Sequence, residues 1–404
     1  MKKVLLGDVS QYIRGITFKP TDVVEAHSEN SVVCMRTKNV QVMLDESDLI
    51  AVHPNFVRRD EQYLRDGDLL VSSANSWNLV GKTCYVHNLN YKATAGGFIS
   101  IVRPKPNIVD PRYLYHWLSS ARTQHYARLC GQQTTNISNL NKGRFLELSL
   151  PLPQLEEQKR IAAILDKADR IRRKRQEAIR LTEELGRSIF LDMFGDPVTN
   201  PKGWRVTKIE TIAAKEKNSM AIGPFGSNLK VSDYREFGYP IIFVKDVKEN
   251  NFNWSSNRYV DEKKFKELSS HQVNSLDVLA TKMGTPPCVS AVYPKSMPTG
   301  VITADLIKIA VSVSEAIPSY VSIVINSEFC KQQVERITEG ITRPKVTLRE
   351  FKKILIPIPP LDKQKEWEYK HEQVNLIKQK NRDQLSQLDE LFNSLLQRAF
   401  RGEL

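Results

Sequence analysis

The sequence has few cysteines, and their arrangement predicts neither a disulfide framework nor a metal site. The five are odd in number and widely spaced, without a CxxC pair: Cys34, Cys84, Cys130, Cys288 and Cys330. They favour a reducing, cytoplasmic compartment. Apolar runs approaching the ~20 residues of a membrane helix are also absent. The N-terminal MKKVLLGDVSQ has no apolar segment long enough to predict a secretory signal.

Common catalytic motifs are missing together. The sequence contains no GxxxxGK[ST] phosphate loop, no GxGxxG, no HExxH and no GxSxG. It also lacks a glycine-rich adenosylmethionine loop and the Asn/Asp-Pro-Pro-aromatic tetrapeptide of methyltransferases. DEKK at 261–264 resembles the acid-acid-lysine set of some nucleases, but a solvated charged stretch is the commoner explanation. We therefore predict a non-catalytic chain, with a cryptic nuclease as the least favoured alternative.

Acidic residues are too few to balance the basic ones. The 404 residues include 59 Lys and Arg against 46 Asp and Glu, which leaves a net charge of +13. Residues 1–150 carry +5 of this surplus and residues 196–356 carry +6. Such basic segments favour nucleic acid as a partner, and a merely basic soluble protein is the alternative.

One segment of the chain occurs twice. Residues 151–194 align without a gap onto 357–400 at an offset of 206, with eleven of 44 positions identical. Each copy opens with P-x-P-x-L-x-x-Q-K and continues with apolar residues at 3-4 spacing, which predicts a long coiled-coil helix. If the two helices pair antiparallel, the polar breaks at Arg175 and at Asn381 and Gln384 meet as one polar layer. A half-chain used twice predicts an internal pseudo-two-fold repeat.

The segments before the two helices predict mixed α+β domains. Both contain short β-like runs, 64–75 and 273–284, followed by a helical stretch that begins at a proline and by a Gly-led polar loop. The predicted order is a domain over 1–150, a helix over 151–197, a domain over 198–356 and a helix over 357–404. A chain of this length is expected to form two or more domains.

Polar loops in the two domains offer the side chains that DNA recognition needs. Base edges are contacted by amide, hydroxyl and cationic groups, and further cations contact phosphates. The candidates are Ser73, Asn75, Trp77, Asn78, Lys82, Gln132, Gln133, Thr134 and Asn136 in the first domain, and Ser227, Asn228, Lys230, Lys282, Thr285, Arg343 and Lys345 in the second. Any of these can instead be an ordinary solvated loop residue, and Trp77 can be a core residue.

The whole chain resembles the specificity subunit of type I restriction–modification systems. The resemblance is carried by the repeated P-x-P-x-L-x-x-Q helix start, by GPFGSNLK at 223–230 and by the SDYREFGYPIIFVKDV that follows. It implies two target-recognition domains separated by an antiparallel coiled coil, each domain reading half of a bipartite double-stranded DNA site. It also implies a bacterial or archaeal cytoplasmic complex.

The same resemblance implies partner subunits that supply the chemistry. Two methyltransferase subunits would use S-adenosylmethionine, and restriction or translocase subunits would use ATP and Mg²⁺, while this chain binds no cofactor or metal. The helices that form the spacer would dock the partners. The residues predicted to form the spacer or to dock partners are Leu155, Gln158, Ile164, Ile171, Leu185, Ile189, Leu361, Gln364, Ile377, Leu388, Leu391 and Leu395.

Two binding functions remain as alternatives to this interpretation. One is a DNA-specificity adaptor of another methylation-based defence complex, which the co-purifying methyltransferase would identify. The other is a coiled-coil scaffold whose domains bind proteins. A steep salt dependence of DNA binding would distinguish a DNA-binding subunit from such a scaffold.

Overall fold

The computed structural model describes residues 2–133 and 137–404, and the chain divides into two compact units. Unit 1 comprises Met1–Ala178 with Asn381–Leu404, and unit 2 comprises Ile179–Lys380. Each unit therefore contains one α+β segment and a part of both repeated helices. Among the helices described, none combines the length and apolarity that a membrane span requires.

The α+β segment of unit 1 consists of short strands and short helices. Its strands are β1 Lys3–Leu5, β2 Ser10–Arg14, β3 Val23–Val24, β4 Val32–Met35, β5 Ile50–Val52, β6 Leu69–Ser72, β7 Ala74–Asn75, β8 Thr83–Tyr85, β9 Ala93–Ala95, β10 Ile99–Pro104, β11 Gly131–Gln133, β12 Ser138–Leu140 and β13 Ser149–Pro151. Its helices are α1 Leu6–Val9, α2 Pro111–Ser119, α3 Ala121–Leu129 and α4 Lys142–Leu146, followed by the long helix α5 Leu155–Phe194.

The α+β segment of unit 2 is built in the same way. Its strands are β14 Arg205–Lys208, β15 Met220–Ile222, β16 Tyr239–Ile242, β17 Val247–Lys248, β18 Asn251–Phe252, β19 Tyr259–Val260, β20 Gln272–Val273, β21 Val278–Thr281, β22 Ser290–Val292, β23 Gly300–Ile302, β24 Leu306–Ile309 and β25 Leu355–Ile358. Its helices are α6 Glu262–Glu267, α7 Pro318–Ile325, α8 Glu328–Ile337 and α9 Leu348–Phe351, followed by the long helix α10 Leu361–Arg401.

The two units share their sheet topology, which confirms the predicted repeat beyond the helices. Unit 1 has a four-stranded sheet in the order β2-β10-β6-β8, and unit 2 has β15-β24-β21-β22. A second sheet contains one parallel pair in each unit, β4 with β9 and β16 with β23. A two-stranded ribbon, β1-β13 or β14-β25, then leads into the long helix.

Three details differ from the local predictions. The helical stretch predicted before each Gly-led loop is two helices, α2 with α3 and α7 with α8. The first break falls at Ser120, whose side chain caps α3 by accepting a hydrogen bond from the Thr123 amide at 3.3 Å. The first Gly-led loop begins as strand β11, which pairs with β12. Asp261 of the DEKK stretch caps α6 by accepting from the Lys264 amide at 2.8 Å, so this stretch is a helix start.

The repeated P-x-P-x-L-x-x-Q sequence attaches each long helix to its own α+β segment. The Gln364 side chain accepts a hydrogen bond from the Ile317 amide at 2.9 Å and donates one to the Pro359 carbonyl at 2.8 Å. The Tyr320 hydroxyl donates to the Pro357 carbonyl at 3.0 Å. A buried backbone amide must be hydrogen-bonded, and glutamine has both a donor and an acceptor to place here.

Unit 1 repeats these contacts with the equivalent residues. Gln158 accepts from the Asp110 amide at 2.8 Å and donates to the Pro153 carbonyl at 2.9 Å, and Tyr113 donates to the Pro151 carbonyl at 2.7 Å. Gln158 is 1% exposed and Gln364 is 0% exposed. The polar groups of both glutamines are therefore used inside each unit, where they fix the start of the long helix.

Replacing Gln364 with leucine should destabilise unit 2 by about 1–3 kcal/mol, since the Ile317 amide loses its hydrogen-bond partner in a buried position. Gln373→Leu is the matched control, because Gln373 is exposed on the same helix. Denaturant unfolding of both variants checks the expectation. Equal midpoints for Gln364→Leu and wild type would contradict the role assigned to the buried glutamine.

Within each unit, α5 and α10 run antiparallel, as predicted. In unit 1, Arg172 contacts Asp389 at 2.6 Å and Arg175 donates to Asn381 at 2.7 Å. In unit 2, Lys378 contacts Glu183 at 2.8 Å. Arg175 and Asn381 are equivalent positions of the repeat, and their hydrogen bond confirms this part of the predicted polar layer.

The apolar seam predicted along the helices is only partly correct. Four of its residues are about half exposed: Ile171 at 44%, Leu185 at 50%, Ile377 at 52% and Leu391 at 53%. A charged residue of α5, Asp169, is buried instead, and it forms ion pairs with Arg172 at 3.3 Å and Arg173 at 2.8 Å on the same helix. Arg172 in turn contacts Asp389 of α10, so ion pairs form part of the contact between the helices, and an apolar 3-4 pattern does not reveal them.

Candidate nucleic-acid interface

In unit 2 two of the predicted polar loops, 223–230 and 281–285, meet on one short segment, 303–306, and the third loop, 342–345, pairs with 281–285. The Gly223 amide donates to the Leu306 carbonyl at 3.2 Å, and the Lys282 amide donates to the Asp305 carbonyl at 2.7 Å. The Val346 amide in turn donates to the Lys282 carbonyl at 3.0 Å. We call the loops 223–230, 281–285 and 342–345, together with 303–306, the unit 2 loop face.

Glycine is required where the first of these loops crosses the segment. A Cβ atom on Gly223 would lie 2.1 Å from the carbonyl group of Thr303. Gly15 occupies the corresponding place in unit 1, where a Cβ atom would lie 2.2 Å from the Gly96 carbonyl oxygen. No side chain fits at such distances, so the close crossing depends on both glycines.

Most of the predicted side chains on the unit 2 loop face are accessible. Lys282 is partly buried, and the other predicted residues are exposed: Ser227, Asn228, Lys230, Thr285, Arg343 and Lys345. Across the described parts of the chain, no carboxylate pairs with Lys230, Arg343 or Lys345. This face therefore presents hydroxyl and amide groups together with three cations that are not neutralised by an ion pair.

Unit 1 forms the corresponding face with the same backbone connections. The Ser73 amide donates to the Phe98 carbonyl at 2.9 Å, and the Leu140 amide donates to the Ser73 carbonyl at 2.8 Å. The Gly15 amide donates to the Ile99 carbonyl at 3.1 Å. We call 72–82, 96–99 and the described part of 131–140 the unit 1 loop face.

The predicted residues of unit 1 differ in how available they are. Trp77 is 36% exposed, and Asn78 and Gln132 are also exposed. Ser73 is half-buried, while Asn75 donates to the Ser72 hydroxyl at 3.1 Å and Lys82 donates to the Gln41 side chain. Gln133 lies in β11. Thr134 and Asn136 lie outside the described residues.

The sequence reasoning missed several residues on or beside these faces. Phe98 is 64% exposed and Phe225 is 69% exposed, so each loop face presents an aromatic ring to its surroundings. Lys245 lies beside loop 223–230, on a turn that is described below. No sequence pattern identifies Lys245, because the burial of the polar residue that follows it is visible only in the structure.

The chemistry available on both faces is hydrogen bonding and attraction of anions. Amide, hydroxyl and ammonium groups can contact base edges and phosphates, which is how sequence-specific proteins read duplex DNA. In the described residues, no three His, Cys, Asp or Glu side chains group in a way that could hold a metal ion.

The helix residues predicted to form the spacer or to dock partners fall into two groups besides the buried glutamines. Six are half-buried: Leu155, Ile164, Ile189, Leu361, Leu388 and Leu395. Four are the half-exposed residues already described, of which Ile171 and Leu391 belong to unit 1 and Leu185 and Ile377 to unit 2. Unit 2 also exposes Tyr369 at 66% and Leu376 at 64%.

The family model and the related proteins that match this chain are of one kind. Residues 1–181 match the family described as type I restriction modification DNA specificity domain. The type I restriction enzyme EcoKI specificity subunit of Escherichia coli (strain K12) is 22% identical over 424 residues, which cover 99% of this chain and 88% of that protein. The StySPI specificity subunit of Salmonella potsdam is 20% identical over the same shares of both chains.

Solved structures support the fold. A crystal structure of the type I restriction–modification S subunit from M. genitalium superposes with a TM-score of 0.61 at 13% identity, covering 99% of this chain and 96% of that one. A chain from a structure that concerns complex assembly of the type I system superposes with a TM-score of 0.54 at 17% identity, covering 100% and 98%. These likenesses confirm the α+β architecture with two long helices.

Proposed function

This chain belongs to the family of type I restriction–modification specificity subunits, and on that premise we propose that it selects the DNA sequence on which such a complex acts. Each unit would read one half of a bipartite target in double-stranded DNA. The observation that carries this proposal is the pair of corresponding loop faces, each built on the same backbone connections in a basic α+β segment.

Catalysis belongs, in this proposal, to other subunits. The chain itself would bind DNA without modifying or cleaving it, and would act with two methyltransferase subunits and with restriction or translocase subunits. The methyltransferases would use S-adenosylmethionine, and the restriction subunits would use ATP and Mg²⁺. The complex would be cytoplasmic, in a bacterium or an archaeon.

The exposed apolar residues of the long helices support a docking role for these helices. Leucine, isoleucine and tyrosine side chains half exposed on otherwise charged helices are unfavourable in water and are typical of a surface that a partner covers. Tyr369, Leu376 and Ile377 lie within nine residues of one another on α10 in unit 2. We propose that methyltransferase subunits bind there, on a surface that includes Leu185 of α5.

Exchange of one recognition segment tests the proposal. Replacing residues 1–150 with the equivalent segment of another family member should change one half of the methylated sequence and leave the other half unchanged. The matched exchange of residues 198–356 should change only the opposite half. Mapping of methylated adenines in cells that express each hybrid with its methyltransferase subunits gives the answer, and a change in both halves from one exchange would refute independent reading.

A further inference from the structure

Two equivalent short turns each present a lysine. Strand β4 is followed by the turn Thr37–Asn39, and strand β16 is followed by the turn Val244–Asp246. Lys38 and Lys245 are the central residues of these turns, and the next residue, Asn39 or Asp246, is buried in both units. The repeat therefore provides two lysines in one structural context, whose surroundings can be compared.

The turn that carries Lys245 is held by an extensive set of hydrogen bonds. Asp246 is 0% exposed, and its carboxylate accepts from the Phe243 amide at 2.9 Å and from the Ser255 amide at 3.0 Å. It also accepts from the Ser255 hydroxyl at 3.2 Å and the Ser256 hydroxyl at 2.9 Å. Hydrogen bonds to a buried carboxylate are strong, so the backbone of Lys245 is fixed in place.

Lys245 lines a cleft at the unit 2 loop face. The cleft has a volume of about 420 Å³ and is bounded by Pro224 and Gly226 of the first loop and by Thr303–Asp305, on which two of the loops meet. Its aromatic walls are Tyr234 and Phe243. Lys245 is exposed, and within the described part of the chain its ammonium group makes no hydrogen bond or ion pair.

Lys38 has different surroundings. Its ammonium group forms an ion pair with Asp48, and Arg36 contacts the same carboxylate at 2.9 Å. The Lys38 ammonium group is therefore held by an ion pair within its own unit, on a carboxylate that it shares with Arg36, whereas no described carboxylate forms an ion pair with Lys245. The two lysines therefore occupy equivalent turns but differ in whether the ammonium group is available to a ligand.

We propose that Lys245 is a DNA-contacting residue of the second half-site, and that Lys38 is not its functional counterpart in the first. The proposal rests on the DNA-binding function proposed above and adds a residue to it. The rigid turn places the ammonium group at the cleft beside loop 223–230, where it donates to an acceptor of duplex DNA. An ammonium group suits both phosphate oxygens and the O6 and N7 atoms of guanine.

A salt titration of DNA binding tests the assignment. The full chain in complex with the proposed methyltransferase subunits would be measured with a duplex of the mapped target sequence, as wild type and as Lys245→Ala, Lys245→Arg and Lys38→Ala. Lys245→Ala should weaken binding roughly tenfold, which corresponds to about 1.4 kcal/mol and is the size expected for the loss of one specific contact. If the contact is to a phosphate, the slope of log K against log salt should also fall by about 0.9.

The other variants make the result specific. Lys245→Arg should retain most of the affinity, and Lys38→Ala should bind as wild type does, with thermal unfolding unchanged in all three variants. An equal loss for Lys38→Ala and Lys245→Ala would overturn the proposal, because net charge alone would explain it. Wild-type affinity for Lys245→Ala would refute the lysine contact alone, whereas absence of salt-dependent binding by wild type would refute the proposed function and this contact with it.

Discussion

Trp367→Ala is expected to lower the free energy of unfolding of unit 2 by about 3–5 kcal/mol, the range found when a large buried aromatic is truncated. Trp367 is 0% exposed and lies on α10 among aromatic rings of the same unit. The ring centroids of Phe190, Phe194 and Tyr320 are 5.8, 6.0 and 6.1 Å from its own. Truncation would leave a cavity where the helix contacts the α+β core.

Two further substitutions define the cause of this effect. Trp367→Phe should be much milder, because the indole N–H makes no hydrogen bond to any described residue and only part of the ring volume is lost. Tyr369→Ala, two residues along the helix and 66% exposed, should change stability by less than about 0.5 kcal/mol. Denaturant unfolding of all three variants is followed by far-UV circular dichroism, because this signal reports helix content and not the replaced tryptophan. A loss for Tyr369→Ala as large as for Trp367→Ala would contradict the assignment of Trp367 to the core.

Asp166→Asn is expected to destabilise unit 1 by about 2–3 kcal/mol at pH 7 and to have a diminishing effect in acid. Asp166 on α5 contacts His116 at 2.7 Å and Arg112 at 3.0 Å, both on α2. Burial alone would raise the pKa of the carboxyl group, but the hydrogen bonds from His116 and Arg112 and their charges outweigh it. The pKa of Asp166 is therefore held well below its usual range.

The direction of the pH dependence follows from this lowered pKa. The carboxylate contributes its full stabilisation above the unfolded pKa of about 3.9, and the contribution is lost as the pH falls through the folded value. The difference between wild type and Asp166→Asn should therefore be constant from neutral pH down to about pH 5 and shrink below it. Glu156→Gln, at an exposed position of the same helix, should unfold like wild type at every pH. A gap between wild type and Asp166→Asn that widened in acid would contradict the lowered pKa.

The repeat, the two long helices and the fold class could be predicted from the sequence because each depends on a local pattern. P-x-P-x-L-x-x-Q recurs at a constant offset, and the strand and helix signals recur in the same order around it. The function of its glutamine could not be predicted in this way. Gln158 and Gln364 hydrogen-bond to amides 47 or 48 residues earlier in the chain, which no pattern within the helix contains.

The composition of the polar loops was enough to predict them as DNA-binding candidates. Their positions relative to one another depend on strand pairing and on backbone hydrogen bonds between distant residues. Loops 223–230 and 281–285 are far apart in sequence and meet because β15 and β21 both pair with β24. Loop 342–345 joins them through backbone hydrogen bonds to 282–284. Lys245 escaped notice because a lone lysine carries no pattern. Three features of the structure single out Lys245. Asp246 beside it is buried, Lys245 itself lines a cleft, and among the described residues it has no ion pair of the kind that Lys38 forms with Asp48. Local patterns along a chain encode helices, strands and repeats, whereas hydrogen bonds and ion pairs between distant residues arise only when the backbone brings them within a few ångströms.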